Sequence, residues 1–292
     1  MTVEDMLAEV SALFEASPLF YGHGTDNAWD EAVALVLASS GLTDHERSLR
    51  EQLSPEACEL IRAHARRRAG ERIPLGYLFG KVSYCGLEFA VQPGVLIPRS
   101  PIGPWLTHGG LGTWLVREPM RILDFCCGSG CLGIVSALVF TEAEVVLADI
   151  DPGVCRVARE NVVRHGLEAR CAVIESDLFA SLSQPPFDLV VCNPPYVDGE
   201  DMGTLPSEYR HEPELALTGG SDGLAVLRGI LDALPEWLAD GGVLVGEVGN
   251  SAPALLAQYP RLPFVWPHLP QGGQGVFLLE ADALSSHTAR RI

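Results

Sequence analysis

Four residues in succession, Asn193-Pro194-Pro195-Tyr196, have the right types to handle a planar amino group. Two prolines in a row fix φ and remove two backbone donors, so this segment is stiff and rich in acceptors. Such a loop can hold the Asn193 side-chain oxygen and the Pro194 carbonyl as a preset pair of acceptors for an NH2 group. Tyr196 adds a ring that can stack on a planar group.

A second group precedes it. Leu123-Asp124-Phe125-Cys126-Cys127-Gly128-Ser129-Gly130-Cys131 joins an apolar strand to a helix. Gly128 and Gly130 let the backbone pass close under a ligand at the carboxyl end of a sheet. Asp149 follows about 20 residues on, at the end of the next strand, where a carboxylate accepts bonds from ribose hydroxyls. The same turn also fits a purely structural role. Gly128, Gly130 and Gly133 match the Gly-x-Gly-x-x-Gly spacing of dinucleotide folds, so NAD binding stays open on this motif alone. The Asn-Pro-Pro-Tyr loop, which NAD chemistry leaves unexplained, weakens that alternative. Cys126, Cys127 and Cys131 form no Cys-x-x-Cys pair and read as small apolar residues; no metal site is expected.

These residues need elements to hold them. After Met120 the pattern is strand, helix, strand: strands at Arg121 to Cys126, Val145 to Ala148, Ala172 to Glu175 and Leu189 to Cys192. Helices are expected at Cys131 to Phe140 and Pro152 to Arg164, and another near Leu224 to Leu238. Strands at Val243 to Val248 and Val276 to Leu279 close the series as an antiparallel pair. Alternation of this kind predicts an α/β fold with a parallel sheet covered on both faces. Asn193 then follows the fourth parallel strand, at the edge where ligands bind. A rigid strand-end turn is the bland alternative for that loop.

Upstream the chain is helical, with 3–4 spacing in Val3 to Phe14 and Ala28 to Leu37 and a Ser54-Pro55 helix start. The segment Cys58 to Arg68 is expected to expose Arg62, Arg66, Arg67 and Arg68, as a solvated face or as a patch gripping an acidic or RNA element of a target. Alternation from Lys81 to Val91 around Cys85-Gly86 predicts a β-hairpin. Prolines 93, 98, 101 and 104 punctuate the connector that follows.

The whole chain has 292 residues, 47% hydrophobic and 20% charged, which excludes fibrous and largely disordered classes. Its 20 basic and 38 acidic residues give a formal net charge of −18, and so acidic a chain repels a phosphate backbone. No apolar run reaches the ~18 residues of a membrane span, and Met1 to Val10 has no signal-peptide pattern. The 8 cysteines, without regular spacing, read as reduced thiols in a cytoplasm.

The order of Asp124-x-Cys126-Cys127-Gly128-Ser129-Gly130, Asp149, Ser176-Asp177-Leu178-Phe179 and Asn-Pro-Pro-Tyr resembles class I S-adenosylmethionine-dependent methyltransferases that act on planar amino groups. Two groups share the tetrapeptide: DNA adenine-N6 enzymes and protein glutamine-N5 enzymes. The resemblance to the glutamine group runs from about Pro74 to Glu280. It includes Ile97-Pro98-Arg99, Glu212-Pro213-x-Leu215-Ala216-Leu217 and Gly219-Gly220-Ser221-Asp222-Gly223-Leu224. The release-factor branch typically continues Pro-Arg with Pro-Asp/Glu-Thr-Glu, whereas this chain has Ser100-Pro101-Ile102-Gly103. With Glu208-Tyr209-Arg210-His211-Glu212-Pro213, it looks like the branch that methylates a glutamine of ribosomal protein L3.

The resemblance implies a Rossmann-like class I methyltransferase sheet at residues 121–284. It also implies an N-terminal helical substrate-recognition domain at 1–80 and a β-hairpin connector at 81–120. It implies S-adenosylmethionine as cofactor, with Asp149 on the ribose, Asp177 on the adenine amino group or else capping the following turn, and Gly128 and Gly130 beneath the methionine moiety. Asp124 would brace the glycine turn or accept from the cofactor's ammonium. Cys126 and Cys127 stand where the family has Gly-Thr, so backbone atoms would make those contacts, beside Ser129. Leu178 stands where some relatives place an aromatic residue. Asn193 and Pro194 would accept the two N–H bonds of the target glutamine, with Asn193 also touching the cofactor, Pro195 would stiffen the pair, and Tyr196 would pack against the amide. No catalytic histidine is expected; His211 is the best candidate by position, but as a loop histidine it reads as a surface or structural residue, and Glu247 has no partner that the sequence names. The expected partner is ribosomal protein L3, free before assembly, with a release factor as the alternative. A DNA adenine methyltransferase and a non-catalytic scaffold are further alternatives.

Overall fold

Caps written into the sequence start the helices. In the computed structural model, which describes residues 1–42, 49–183 and 186–288, Thr2 caps the helix Val3–Glu15. Its hydroxyl accepts the Asp5 N–H at 3.1 Å while the Asp5 carboxylate accepts the Thr2 N–H at 3.0 Å. A reciprocal cap of this kind stabilises a helix by about 1 kcal/mol. Asn27 caps Ala28–Ser40, and Ser54 with Pro55 starts Pro55–Glu71. The apolar faces of these three helices meet in one cluster around Met6, Phe14, Leu35 and Ile61.

One expectation fails here. Arg68 does not join an exposed face: it is 1% exposed, with its guanidinium paired to Glu31 and Glu208. Arg62 and Arg67 do lie on the outside, paired with Glu9 and Glu59 and with Glu71.

The hairpin forms as expected. β1 (Lys81–Tyr84) pairs antiparallel with β2 (Leu87–Ala90). The buried Asn161 side chain fastens it to the main body. Its amide exchanges both hydrogen bonds with the Ala90 backbone, at 2.7 and 3.0 Å, and also donates to the Ser129 carbonyl at 2.9 Å.

The main sheet has the order β5-β4-β3-β6-β7-β8. Its strands are β3 (Arg121–Phe125), β4 (Glu144–Asp149), β5 (Cys171–Glu175), β6 (Phe187–Cys192), β7 (Leu238–Glu247) and β8 (Val276–Glu280). The pairings from β5 through β7 are parallel, and β8 runs antiparallel to β7, as the sequence suggests. Apolar clusters cover both faces, one around Ile134 and Leu147 and the other around Leu227 and Phe277. This burial on two sides is why the strands read as unbroken apolar runs.

Several boundaries shift, β7 starting at Leu238 instead of Val243, and two of the shifts have a clear physical reason. β3 stops at Phe125, because Cys126 turns into the left-handed region with φ 53°. The helix expected to reach Leu238 is Ala225–Ala233, followed by a 3-10 turn at Leu234–Glu236, where Pro235 cannot donate a helical bond.

Candidate functional site

The strand order reverses between β3 and β6, and open α/β sheets bind ligands at such a crevice. Register places the chemistry there. Phe125 pairs with Cys192 on one side and with Ala148 on the other. The next residues along these strands are therefore neighbours: Cys126, Asn193 and Asp149 share one row at the carboxyl edge. Asp149 pairs with Glu175, which brings Ser176 and Asp177 beside them.

A cavity of about 390 Å³ opens on this row. Its floor is the turn from Phe125 through Ser129, and its walls include Asp149, Asp177, Leu178, Asn193 and Pro195. Gly128 has φ 56°, and a Cβ added there would meet nothing within 4 Å, so it would project into open space. A side chain there would be strained and would also occupy room for a ligand. Gly130, expected under the ligand, lies outside this lining. A Cβ on it would come within 2.9 Å of Leu147, so it serves close helix–strand packing.

The acidic residues divide by position. Asp149 faces the cavity; its Oδ2 accepts the Gly128 N–H at 3.0 Å and its Oδ1 the Asp151 N–H at 3.1 Å. Burial raises its carboxyl above the ordinary range. These bonds orient a carboxylate at a strand end, the arrangement that suits a pair of ribose hydroxyls. Asp124 lies beneath the turn, outside the cavity lining, 1% exposed. Its Oδ2 accepts the Gly133 N–H at 2.7 Å, while its Oδ1 has no partner among the described residues. It ties the end of β3 to the first turn of the helix Cys131–Val139. Cys126 and Cys127 both line the cavity, and burial pushes their thiols well up, leaving them neutral. Cys126 holds a left-handed φ with a side chain attached, a strain of about 1–2 kcal/mol.

Burial pushes the Asp124 carboxyl up to about 8 from its ordinary 3.8. Because this folded value lies above the unfolded one, its contribution to stability is present below about pH 3.8 and is lost as pH rises through 8. Asp124→Asn keeps an acceptor for Gly133 and cannot ionise. The expected result is a difference in thermal midpoint, variant minus parent, that grows in the variant's favour from pH 4 to pH 8 and then levels. Thermal melts of the protein without ligand, across that range, measure it; a difference independent of pH contradicts the assignment.

The Asn-Pro-Pro-Tyr loop separates two cavities. The second, about 300 Å³, is lined by Pro194, Tyr196, Asp201, Tyr209 and Asn250, among others. Asn193 lines both, and its side-chain amide makes no hydrogen bond to any described residue. A group seated in the second cavity and one in the first therefore meet at Asn193. Arg99 also borders both cavities. It donates to Glu212 at 2.6 and 2.8 Å, in a two-pronged ion pair, and its guanidinium lies 5.2 Å from the Tyr209 ring centre. Burial alone raises the Glu212 carboxyl, but His23 and Arg99 more than reverse this, holding it at about 2. His23 Nε2 stands 3.5 Å away, so Arg99 makes the close contacts.

His211 lies away from both cavities and contacts the Glu71 carbonyl at 2.9 Å. Sequence reasoning left Glu247 without a partner; its carboxylate accepts from the Tyr196 hydroxyl at 2.9 Å. Arg68 and Glu208 were also missed as a pair. The available signal was a charge on the apolar stripe Cys58-Ile61-Ala65-Arg68, all four buried.

The Methyltransferase small domain family matches residues 113–208. The chain is 39% identical over 287 residues to a "Ribosomal protein uL3 glutamine methyltransferase" of Francisella tularensis subsp. tularensis, covering 97% of this chain and 91% of that protein. It is 39% identical over 290 residues to a protein of the same name from Bordetella pertussis, covering 98% and 97%. Among solved structures, the hMettl16 catalytic domain in complex with MAT2A 3'UTR hairpin 6 shares the fold. That match has a TM-score of 0.52 and 16% identity, over 78% of this chain and 81% of that one.

Proposed function

Because the chain belongs to the ribosomal protein uL3 glutamine methyltransferase family, we propose that it transfers a methyl group from S-adenosylmethionine to the side-chain amide nitrogen of a glutamine in ribosomal protein uL3. The observation that carries this reading is Asn193, standing with a free amide between two cavities. The larger cavity suits the cofactor: a carboxylate at the ribose position, a side-chain-free Gly128 in the turn, and Asp177 and Leu178 at the adenine end. S-adenosylmethionine, when bound, supplies a methyl group already activated on a sulfonium sulfur.

The chain's own residues address the other reactant. An amide nitrogen is a poor nucleophile, because its lone pair is delocalised into the carbonyl. Asn193 Oδ1 and the Pro194 carbonyl accept its two N–H bonds and fix its orientation, and positioning of this kind is worth several powers of ten in rate. The same oxygens face the nitrogen as positive charge develops on it, which stabilises the transition state. Pro195 keeps the pair stiff, and Tyr196 closes the second cavity around the amide. The methylated amide is strongly acidic and releases its proton without a dedicated base.

The net charge of −18 suits a basic, newly made ribosomal protein better than an RNA-coated ribosome, and it disfavours DNA as substrate. We read residues 1–80 as the part that recognises the substrate, 81–120 as the connector and 121–284 as the methyltransferase domain. Among the described residues no helix is long and apolar enough to cross a membrane. The reading places the protein in the cytoplasm, where uL3 is made.

The test is transfer of labelled methyl to free uL3, to assembled large subunits and to a release factor, side by side. Label on free uL3 is the expected outcome. Label on the release factor alone keeps the chemistry and replaces the substrate, and label on assembled subunits alone removes the argument from charge.

A further inference from the structure

β7 ends on a charged residue that none of the steps above uses. Glu247 is 5% exposed, one residue past Gly246, which pairs with Cys192; it is therefore beside Asn193 in the row of strand ends. Both of its oxygens are engaged. The Tyr196 hydroxyl donates to Oε1 at 2.9 Å, and the Ser100 hydroxyl donates to Oε2 at 2.6 Å. Ser100 is itself held: its Oγ accepts the Ile102 N–H at 3.2 Å and its carbonyl accepts the Tyr84 hydroxyl at 2.6 Å. The nearby cation, Arg99, is taken up by Glu212. Among the described residues no cation pairs with Glu247.

Tyr196 is consequently fixed at three points. Glu247 holds the hydroxyl, the Ser251 hydroxyl donates to the Tyr196 carbonyl at 2.8 Å, and the ring lies against Gly249. A Cβ on Gly249 would come within 2.5 Å of the ring carbon Cε2, so the tyrosine packs where only glycine leaves room. A carboxylate buried without a cation costs stability, and an apolar residue of similar size would pack there more cheaply. Its fit to two hydroxyls, one of them on the catalytic loop, gives it a task other than stability.

We propose that Glu247 is a positioning residue for methyl transfer: it fixes Tyr196, and through it the acceptor pair at Asn193 and Pro194, while Ser100 holds the carboxylate in place. The proposal rests on the amide-methylation reading above. A phenol released from Glu247 swings within the second cavity and loosens the slot for the amide. Displacement of a reacting group by about 1 Å is enough to cost a hundredfold in rate.

The experiment compares kcat and KM for methyl transfer to uL3, together with S-adenosylmethionine affinity by calorimetry, in a small set of variants. Glu247→Leu is expected to lower kcat about 10- to 100-fold with cofactor affinity nearly unchanged. Glu247→Gln, whose amide oxygen still accepts from Tyr196, restores most of that loss. Tyr196→Phe lowers kcat to a similar degree, and the double variant Tyr196→Phe/Glu247→Leu goes no lower than either single one. Losses that multiply in the double variant overturn the proposal, as does an intact kcat in Glu247→Leu.

A readout without substrate separates this proposal from the reading beneath it. With fluorotyrosine incorporated, the 19F resonance that disappears in Tyr196→Phe belongs to Tyr196. It is expected to shift in Glu247→Leu and also in the milder Ser100→Ala, which retains the buried carboxylate. A resonance unmoved by both variants overturns the proposal even if methyl transfer to uL3 is observed. A shifted resonance in a protein that transfers no methyl to uL3 keeps the Tyr196 contact and removes the substrate reading instead.

Discussion

Asn193→Ala is expected to lower methyl transfer to uL3 by at least about a thousandfold, roughly 4 kcal/mol of transition-state stabilisation. The size follows from what is removed. The side-chain oxygen is one of two acceptors that orient the amide nitrogen, and it faces that nitrogen as charge develops. Neither neighbour can replace it, because Pro194 and Pro195 have fixed φ and no side-chain acceptor, and the loop cannot slide. Cofactor affinity is expected to fall by no more than a few-fold, since Asn193 is a single wall residue of a cavity built mostly from the β3, β4 and β5 ends. Asn193→Asp keeps an acceptor oxygen and retains more activity than alanine. Single-turnover transfer of labelled methyl, with calorimetric cofactor binding beside it, measures both quantities. A kcat within tenfold of the parent enzyme, or a loss explained by cofactor affinity, contradicts the role assigned to Asn193.

The residues of that site were visible in the sequence because each belongs to a local motif. Glycines in a strand-to-helix turn, an aspartate ending the next strand, and two prolines after an apolar run are adjacent-residue signals. The strands were equally legible, because burial on both faces writes them as apolar runs such as Leu189 to Cys192, all buried. What escaped depends on separation along the chain. Glu247 meets Tyr196 51 residues away, and nothing at either position states the pairing. The clue was a glutamate closing the apolar strand from Val243 to Gly246, where a buried charge needs partners. Arg68 was misread because it stands in a run of arginines, three of which suggest a solvated face. Its helical phase says otherwise: Cys58, Ile61, Ala65 and Arg68 recur at 3- and 4-residue spacing and are all buried. Glu31 occupies the matching place on its own helix, beside Ala28, Ala32 and Leu35.

That misread arginine sets the second large effect. Arg68 donates to Glu31, to Glu208 at 3.1 Å and to the Phe20 carbonyl at 2.9 Å, so one guanidinium joins two helices, a loop and the 3-10 turn Ser207–His211. Glu208 also accepts from Arg72 at 2.8 Å and from the Phe20 N–H at 2.9 Å, yet its Oε2 has no partner among the described residues. Arg68→Ala leaves Glu31 buried with its charge uncompensated and Glu208 with Arg72 as its remaining cation, a loss of about 3–5 kcal/mol. In a chain of this size that corresponds to a fall in thermal midpoint on the order of 10 °C. Arg68→Lys keeps the charge but not the fork, and recovers only part of the loss. The effect reaches the site because Pro206 and Tyr209, in and beside this turn, line the second cavity. At temperatures where Arg68→Lys remains folded, KM for uL3 is expected to rise while cofactor affinity stays level, since no residue of the 207–212 turn lines the larger cavity. Calorimetric unfolding and steady-state kinetics test the two halves separately. A variant as stable as the parent means that the ion cluster does not hold the helices to the turn; a loss of cofactor affinity with KM unchanged means that it acts on the other cavity.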